Sequence, residues 1–182
     1  MKGMVFTEFV EMVEDVFTPE VADKMITQSG VPNGGSYTAV GKYDYKELMD
    51  MVAALSSLTS IPSPQLVKNF GHYLLPRFKE GHSDFFASHT STFDFLESVN
   101  DTIHREVLKL YPDAELPHFE TLRSEDVLVM NYRSKRPLAD LAEGLIEASF
   151  NVYNEAFIMH RENSKQDDYH ISSFSLQSLG KR

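Results

Sequence analysis

Tyr132, Ser134 and Arg136 stand two apart in the stretch Asp126 to Arg136, whose β-branched content and period-2 alternation read as a strand. At that spacing they share a face with Leu128 and Met130, so the face turns from apolar to hydrogen-bonding toward its end. Two hydroxyls and a planar cationic fork suit carboxylates set at the edge of an apolar ligand. The same three residues equally suit a strand that simply ends at the surface. A second candidate is His104, about 100° of helix from both Ile103 and Arg105, at the edge of an apolar arc beside Phe93, Val107 and Leu108. It is placed to face a buried ligand and, on position alone, also fits a half-buried structural histidine.

Other chemistries find less support. There is no cysteine, which removes disulfides, thiolate ligation and cysteine nucleophiles together. His72, His82, His89, His118, His160 and His170 do not fall into the paired helical spacing that a zinc-protease-like site needs. His104 with Glu106 or Asp101 forms an acid/base pair of the kind that arises by chance on a polar helix face, without a nucleophile beside it, so the chain does not read as an enzyme. A formal net charge of -10 argues against nucleic acid or an anionic membrane as partner. Acidic Glu8 and Glu11 come too soon after Met1 for a secretory segment, and no apolar run is long enough to insert in a membrane; the expected location is cytoplasmic.

The elements that must position these residues are mostly helical. Val5, Phe9, Val10, Val13 and Phe17 recur at helical spacing, and a second short helix starts at Thr18-Pro19. Pro32 to Ser36 is a loop, Tyr43 to Leu58 a helix, and Ser63-Pro64 opens another with Leu66, Val67, Phe70, Leu74 and Phe78 on its apolar side. From Ser91 to Tyr111 runs the longest unbroken helical pattern, stopped by Pro112 and carrying His104. A loop to Phe119 precedes the strand, and Pro137 ends that strand before a helix through Leu138, Leu141, Ala142, Leu145 and Ile146. Phe157 to His160 and Tyr169 to Leu176 make a hairpin around a polar connection, Glu162 to Asp168. Thirteen Phe and eight Met, with hydrophobic residues at 42%, supply an interior large enough for a bulky group.

Taken together, Tyr132-Arg133-Ser134-Lys135-Arg136 and the upstream His104 resemble the H-NOX family, the haem nitric oxide/oxygen binding domains related to soluble guanylate cyclase, which carry a Tyr-x-Ser-x-Arg signature downstream of a proximal histidine. The start Met1-Lys2-Gly3, Leu108 after the histidine, the pair Leu116-Pro117 and the run Glu143-Gly144-Leu145-Ile146 extend the likeness over the whole chain. It implies one α+β domain over residues 1–182: a helical N-terminal subregion, about residues 1–60, packed on a part with the haem-ligating helix, an antiparallel sheet and the C-terminal hairpin, about 61–182. It further implies haem b (iron protoporphyrin IX), with His104 as the proximal iron ligand. Tyr132, Ser134 and Arg136 would hold the propionates, and Pro117 would press on and distort the porphyrin.

In O2-binding relatives a tyrosine on the helix after the propionate strand donates a hydrogen bond to the ligand, and the resemblance puts Leu141 at that position. The remaining distal positions fall on Val5, Phe9, Leu74, Phe78 and Leu145, all apolar. One hydrogen bond to a charged group contributes roughly 1.5–3 kcal/mol, so an apolar wall implies a sensor that binds NO and CO and excludes O2. Tyr73 and His72, beside Leu74, are the donors that a small change of register would bring in. In the family NO weakens the Fe–His bond and frees the histidine's helix, and stand-alone bacterial members report to a histidine kinase or to a cyclic-di-GMP synthase or phosphodiesterase. An O2-binding haem protein and a haem-free interaction module are the competing expectations.

Overall fold

The computed structural model describes the chain from Met1 to Arg182, save the side chains of Asn33 and Leu110. Helices α1 (Gly3–Val16), α2 (Pro19–Ser29), α3 (Tyr45–Thr59) and α4 (Ser63–Gly81) come first, with a short 3₁₀ turn at Pro32–Gly35. Thr18 accepts from the Val21 N–H and Asp44 from the Lys46 N–H, which fixes where α2 and α3 begin. Their apolar faces enclose a core around Phe6, Phe9, Met25, Leu48, Met51 and Leu55, closed by Leu66 and Phe70 of α4.

The second half holds α5 (Ser83–Ala87), α6 (Thr92–Glu97), a π-helical turn (Val99–His104), α7 (Arg105–Leu110), β1 (His118–Ser124), β2 (Val127–Ser134), α8 (Ala139–Val152), β3 (Glu155–Gln166) and β4 (Tyr169–Lys181). The strands form one antiparallel sheet in the order β1-β2-β4-β3. Leu128, Met130, Tyr132, Phe174 and Leu176 are buried on the face that packs against Phe95, Ile146 and Phe150 in a second core. The change from one core to the other falls inside α4, between Phe70 and Leu75, later than the change expected near residue 60.

Helices α4 and α8 cross closely because glycines meet there. A Cβ on Gly144 would lie 2.0 Å from the Lys68 carbonyl oxygen, and one on Gly71 2.7 Å from that of Leu141. Ion pairs flank the crossing: Lys68 with Glu143 (2.8 Å) and Glu147 (2.6 Å), and Arg161 of β3 with Asp140 (2.6 Å) and Glu143 (2.7 Å).

Three sequence expectations change. The helix expected unbroken from Ser91 to Tyr111 is interrupted by the π turn, because a single widened turn leaves the apolar arc almost intact and so gives no signal in the periodicity. The loop expected up to Phe119 is present as far as Pro117, but the stretch after it, given no element before Asp126, is β1, an edge strand in which polar residues stand on both faces and Leu122 is exposed, so the alternation is absent. The polar connection Glu162 to Asp168 is strand up to Gln166, with the turn confined to Asp167-Asp168, since solvent-exposed hairpin arms need no apolar side chains.

Candidate functional site

The two halves enclose a cavity of about 650 Å³. It is lined by the start of α1, the second half of α4, the α6–π–α7 segment, the loop from Tyr111 to Pro117, the buried face of β2, and α8. Its wall is largely apolar, with Leu75, Phe95, Ile103, Met130, Ala142 and Ile146 among the lining residues. That volume is in the range of small-molecule and cofactor sites.

His104 sits on this wall as the last residue of the π turn. The segment is anchored at its start by Glu155, whose carboxylate accepts the Thr92 N–H at 3.0 Å, and by Arg123 of β1, which holds Asp94 (2.7 Å) and Glu97 (2.9 Å). Burial pushes the His104 pKa down to about 4, with His118 nearby adding to the effect. At neutral pH the imidazole is uncharged and a ring nitrogen keeps its lone pair, the form in which histidine ligates a metal. Its ring packs on Phe119 at 5.8 Å between centroids, and Phe119 in turn meets Tyr132 at 5.6 Å.

Tyr132, Ser134 and Arg136 all line the same cavity. Strand β2 ends at Ser134, so Arg136 lies beyond the strand in which the sequence pattern included it and reaches the cavity from the turn into α8. The Tyr132 hydroxyl donates to the Arg136 carbonyl (3.0 Å) and the Ser134 hydroxyl accepts the Arg136 N–H (3.0 Å), so the three residues form one folded-back unit. The Arg136 guanidinium donates to the Glu115 carbonyl oxygen (2.9 Å) and carboxylate (2.6 Å). Its side chain is only 13% exposed while that of Glu115 is 68% exposed, so the fork is fixed in the wall and the carboxylate it holds reaches it from the solvent side. The fork is oriented to receive a carboxylate.

Pro117 also lines the cavity, as do Val5, Leu74, Phe78, Leu141 and Leu145. Phe9 does not. It lies one turn further along α1, fully buried in the N-terminal core, edge-on to Phe70 at 5.2 Å. Tyr73 donates to Asp15 (2.6 Å) and His72 pairs with Glu147 (2.7 Å), and neither lines the cavity. His82 does line it, at an exposed position, its ring tilted against that of Phe78 with 4.6 Å between centroids. Spacing alone gave no sign of His82 or of Glu115. Glu115 stands directly before the Leu116-Pro117 pair, and only the return of that loop to the strand end makes it the partner of Arg136.

At the cavity mouth Lys2 pairs with Asp113 at 2.7 Å, joining the first residues of the chain to the loop that follows α7. Among the described residues there is no group of three or more His, Asp or Glu placed to hold a metal ion by themselves. A neutral imidazole on an apolar wall and a cationic fork at its rim fit an iron-bearing macrocycle.

Residues 2–161 match the family model for haem-NO-binding domains. No curated protein matches the chain. Among solved structures it is similar to the Fe(II) unliganded H-NOX protein of K. algicida, at 31% identity and a TM-score of 0.92, over 100% of this chain and 98% of that one. A point mutant of the same K. algicida protein, also Fe(II) and unliganded, gives 32% identity and a TM-score of 0.91, over 98% and 96% of the two chains. A point mutant of T. tengcongensis H-NOX shares the fold at 21% identity, with a TM-score of 0.90 over 100% of this chain and 99% of that one. No helix among the described residues is long and apolar enough to cross a membrane. The cavity, its histidine and the match across most of the chain agree: the protein belongs to the haem-NO-binding, or H-NOX, family.

Proposed function

We propose that the chain is a cytoplasmic nitric oxide sensor that holds haem b in the cavity and does not act as an enzyme. His104 serves as the proximal ligand, Tyr132, Ser134 and Arg136 hold the propionates, and Pro117 presses on the macrocycle. The observation that carries this reading is the pairing, in one apolar cavity, of a half-buried uncharged imidazole with an arginine fork already engaged by a carboxylate. A propionate would take the place of the exposed Glu115 side chain on that fork. Bound there, the group would supply a ferrous iron able to take a diatomic gas, with His104 the residue that would hold the iron and Arg136, Tyr132 and Ser134 those that would keep the macrocycle in place.

His104 is then a releasable tether. Freed from it, α7 and the loop carrying Pro117 are able to shift against the N-terminal helices, to which Lys2 and Asp113 join them. Such a shift draws its energy from the different ligand affinities of the two states. The output is read by a separate protein, a histidine kinase or a cyclic-di-GMP synthase or phosphodiesterase.

Val5, Leu74, Phe78, Leu141 and Leu145 form the wall facing the gas and offer no hydrogen-bond donor. The turning away of Tyr73 and His72 supports an NO- and CO-binding site that excludes O2. Exposing the reduced, haem-loaded protein to each gas tests this: NO and CO are expected to shift its absorption bands, and O2 to give no reversible shift. A reversible shift with O2 would replace the NO-selective reading with an O2-binding one and direct attention to His82.

A further inference from the structure

The π turn that ends in His104 has an external brace. A widened turn of this kind is rare and persists where something outside it holds it open. The brace is Asn100. Its side-chain Nδ2 donates to the Phe119 carbonyl, and its Oδ1 accepts the Phe119 N–H at 3.2 Å.

Phe119 is paired with Tyr132 across β1 and β2, and β1 is an edge of the sheet. Because both its backbone groups go to Asn100, they point away from β2, toward the edge that has no neighbouring strand. A carboxamide presents a donor and an acceptor side by side, so Asn100 imitates one residue of the missing strand. The strand residue it grips is the one whose ring lies between His104 and Tyr132, two residues after Pro117. Arg123 ties the earlier part of the helical segment to the other end of β1, which leaves Asn100 to set the height of the turn itself.

We propose that Asn100 is a positioning residue for iron ligation: its two-point bond to Phe119 fixes His104 against the wall made by Phe119 and Pro117. It also remains the fixed point about which the freed segment moves. This inference rests on His104 being the haem ligand.

The test compares wild type, Asn100→Ala and Asn100→Asp in two states. In the haem-free protein, hydrogen exchange at the Phe119 amide is expected to speed up about tenfold in Asn100→Ala, the loss of one half-buried hydrogen bond. In the reduced, haem-loaded protein, the Fe–His stretching band in the resonance Raman spectrum is expected to shift in both variants. The shift should be smaller in Asn100→Asp, which keeps the acceptor for the Phe119 N–H. A folded Asn100→Ala protein with the wild-type Fe–His band overturns the proposal, because a merely structural role lowers stability without moving that band. Should Asn100→Ala fail to fold, Asn100→Asp decides on the same band. A wild-type protein without any Fe–His band sinks the haem reading and this proposal with it, whereas an unshifted band in the variants sinks only the role of Asn100.

Discussion

Burial holds the His104 pKa at about 4, below its ordinary value of 6.5, and this has a consequence for stability. Between those two pH values the unfolded chain binds a proton that the folded chain refuses, so stability is full above pH 6.5 and falls as the solution is acidified toward 4. For the haem-free protein the loss should be of order 3 kcal/mol, read as a falling urea midpoint, and His104→Leu should remove that component. An unchanged pH slope in His104→Leu would mean that the imidazole is not desolvated. Arg136→Ala should speed haem loss about tenfold or more, as expected for one charge-assisted hydrogen-bonded pair, measured by transfer of haem to an acceptor protein. At this scale Tyr132 and Ser134 stand on one face of β2 as period-2 spacing expects, whereas Arg136 reaches the same cavity from the turn beyond the strand, which that spacing does not encode. Glu115 and Asn100 were not legible in sequence, because their partners are brought in by a returning loop and by a strand edge, which no local pattern encodes.

At the scale of elements, the wall facing the gas depends on how closely α4 and α8 approach, since Leu74, Leu141 and Leu145 stand on those two helices. Gly144→Ala would drive a methyl into the Lys68 carbonyl, and the helices must part to admit it. The expected cost is about 1–3 kcal/mol, measured by denaturant unfolding. A neutral result would show that the crossing is loose. Long helices with a regular apolar stripe, such as α3 and α8, followed directly from their periodicity. The π turn and β1 did not, for the reasons their own side chains give: Val99 and Ile103 keep the helical stripe through the widened turn, and His118, Glu120 and Leu122 share one exposed face of an edge strand.

For the whole molecule, two cores meet along α4, and the cavity lies where they meet. The segment carrying His104 packs in the second core, and the Lys2–Asp113 pair ties the loop after it to the start of the chain, which is what would let a small event at one residue become a movement of one half against the other. The composition already allowed a bulky group inside, and the match over residues 2–161 fixes the family. Phe9, expected on the distal wall, instead packs against Phe70 in the N-terminal core and does not line the cavity. The central claim is that His104 ligates haem in this cavity. It is tested most directly by the absorption spectrum of the reduced protein titrated with haem, alone and with NO, beside His104→Ala. Wild type should show the band of a five-coordinate, histidine-ligated ferrous haem that NO shifts, and His104→Ala should lose that band and regain it with added imidazole. The same reduced spectrum in both proteins, or no haem band in either, would contradict it.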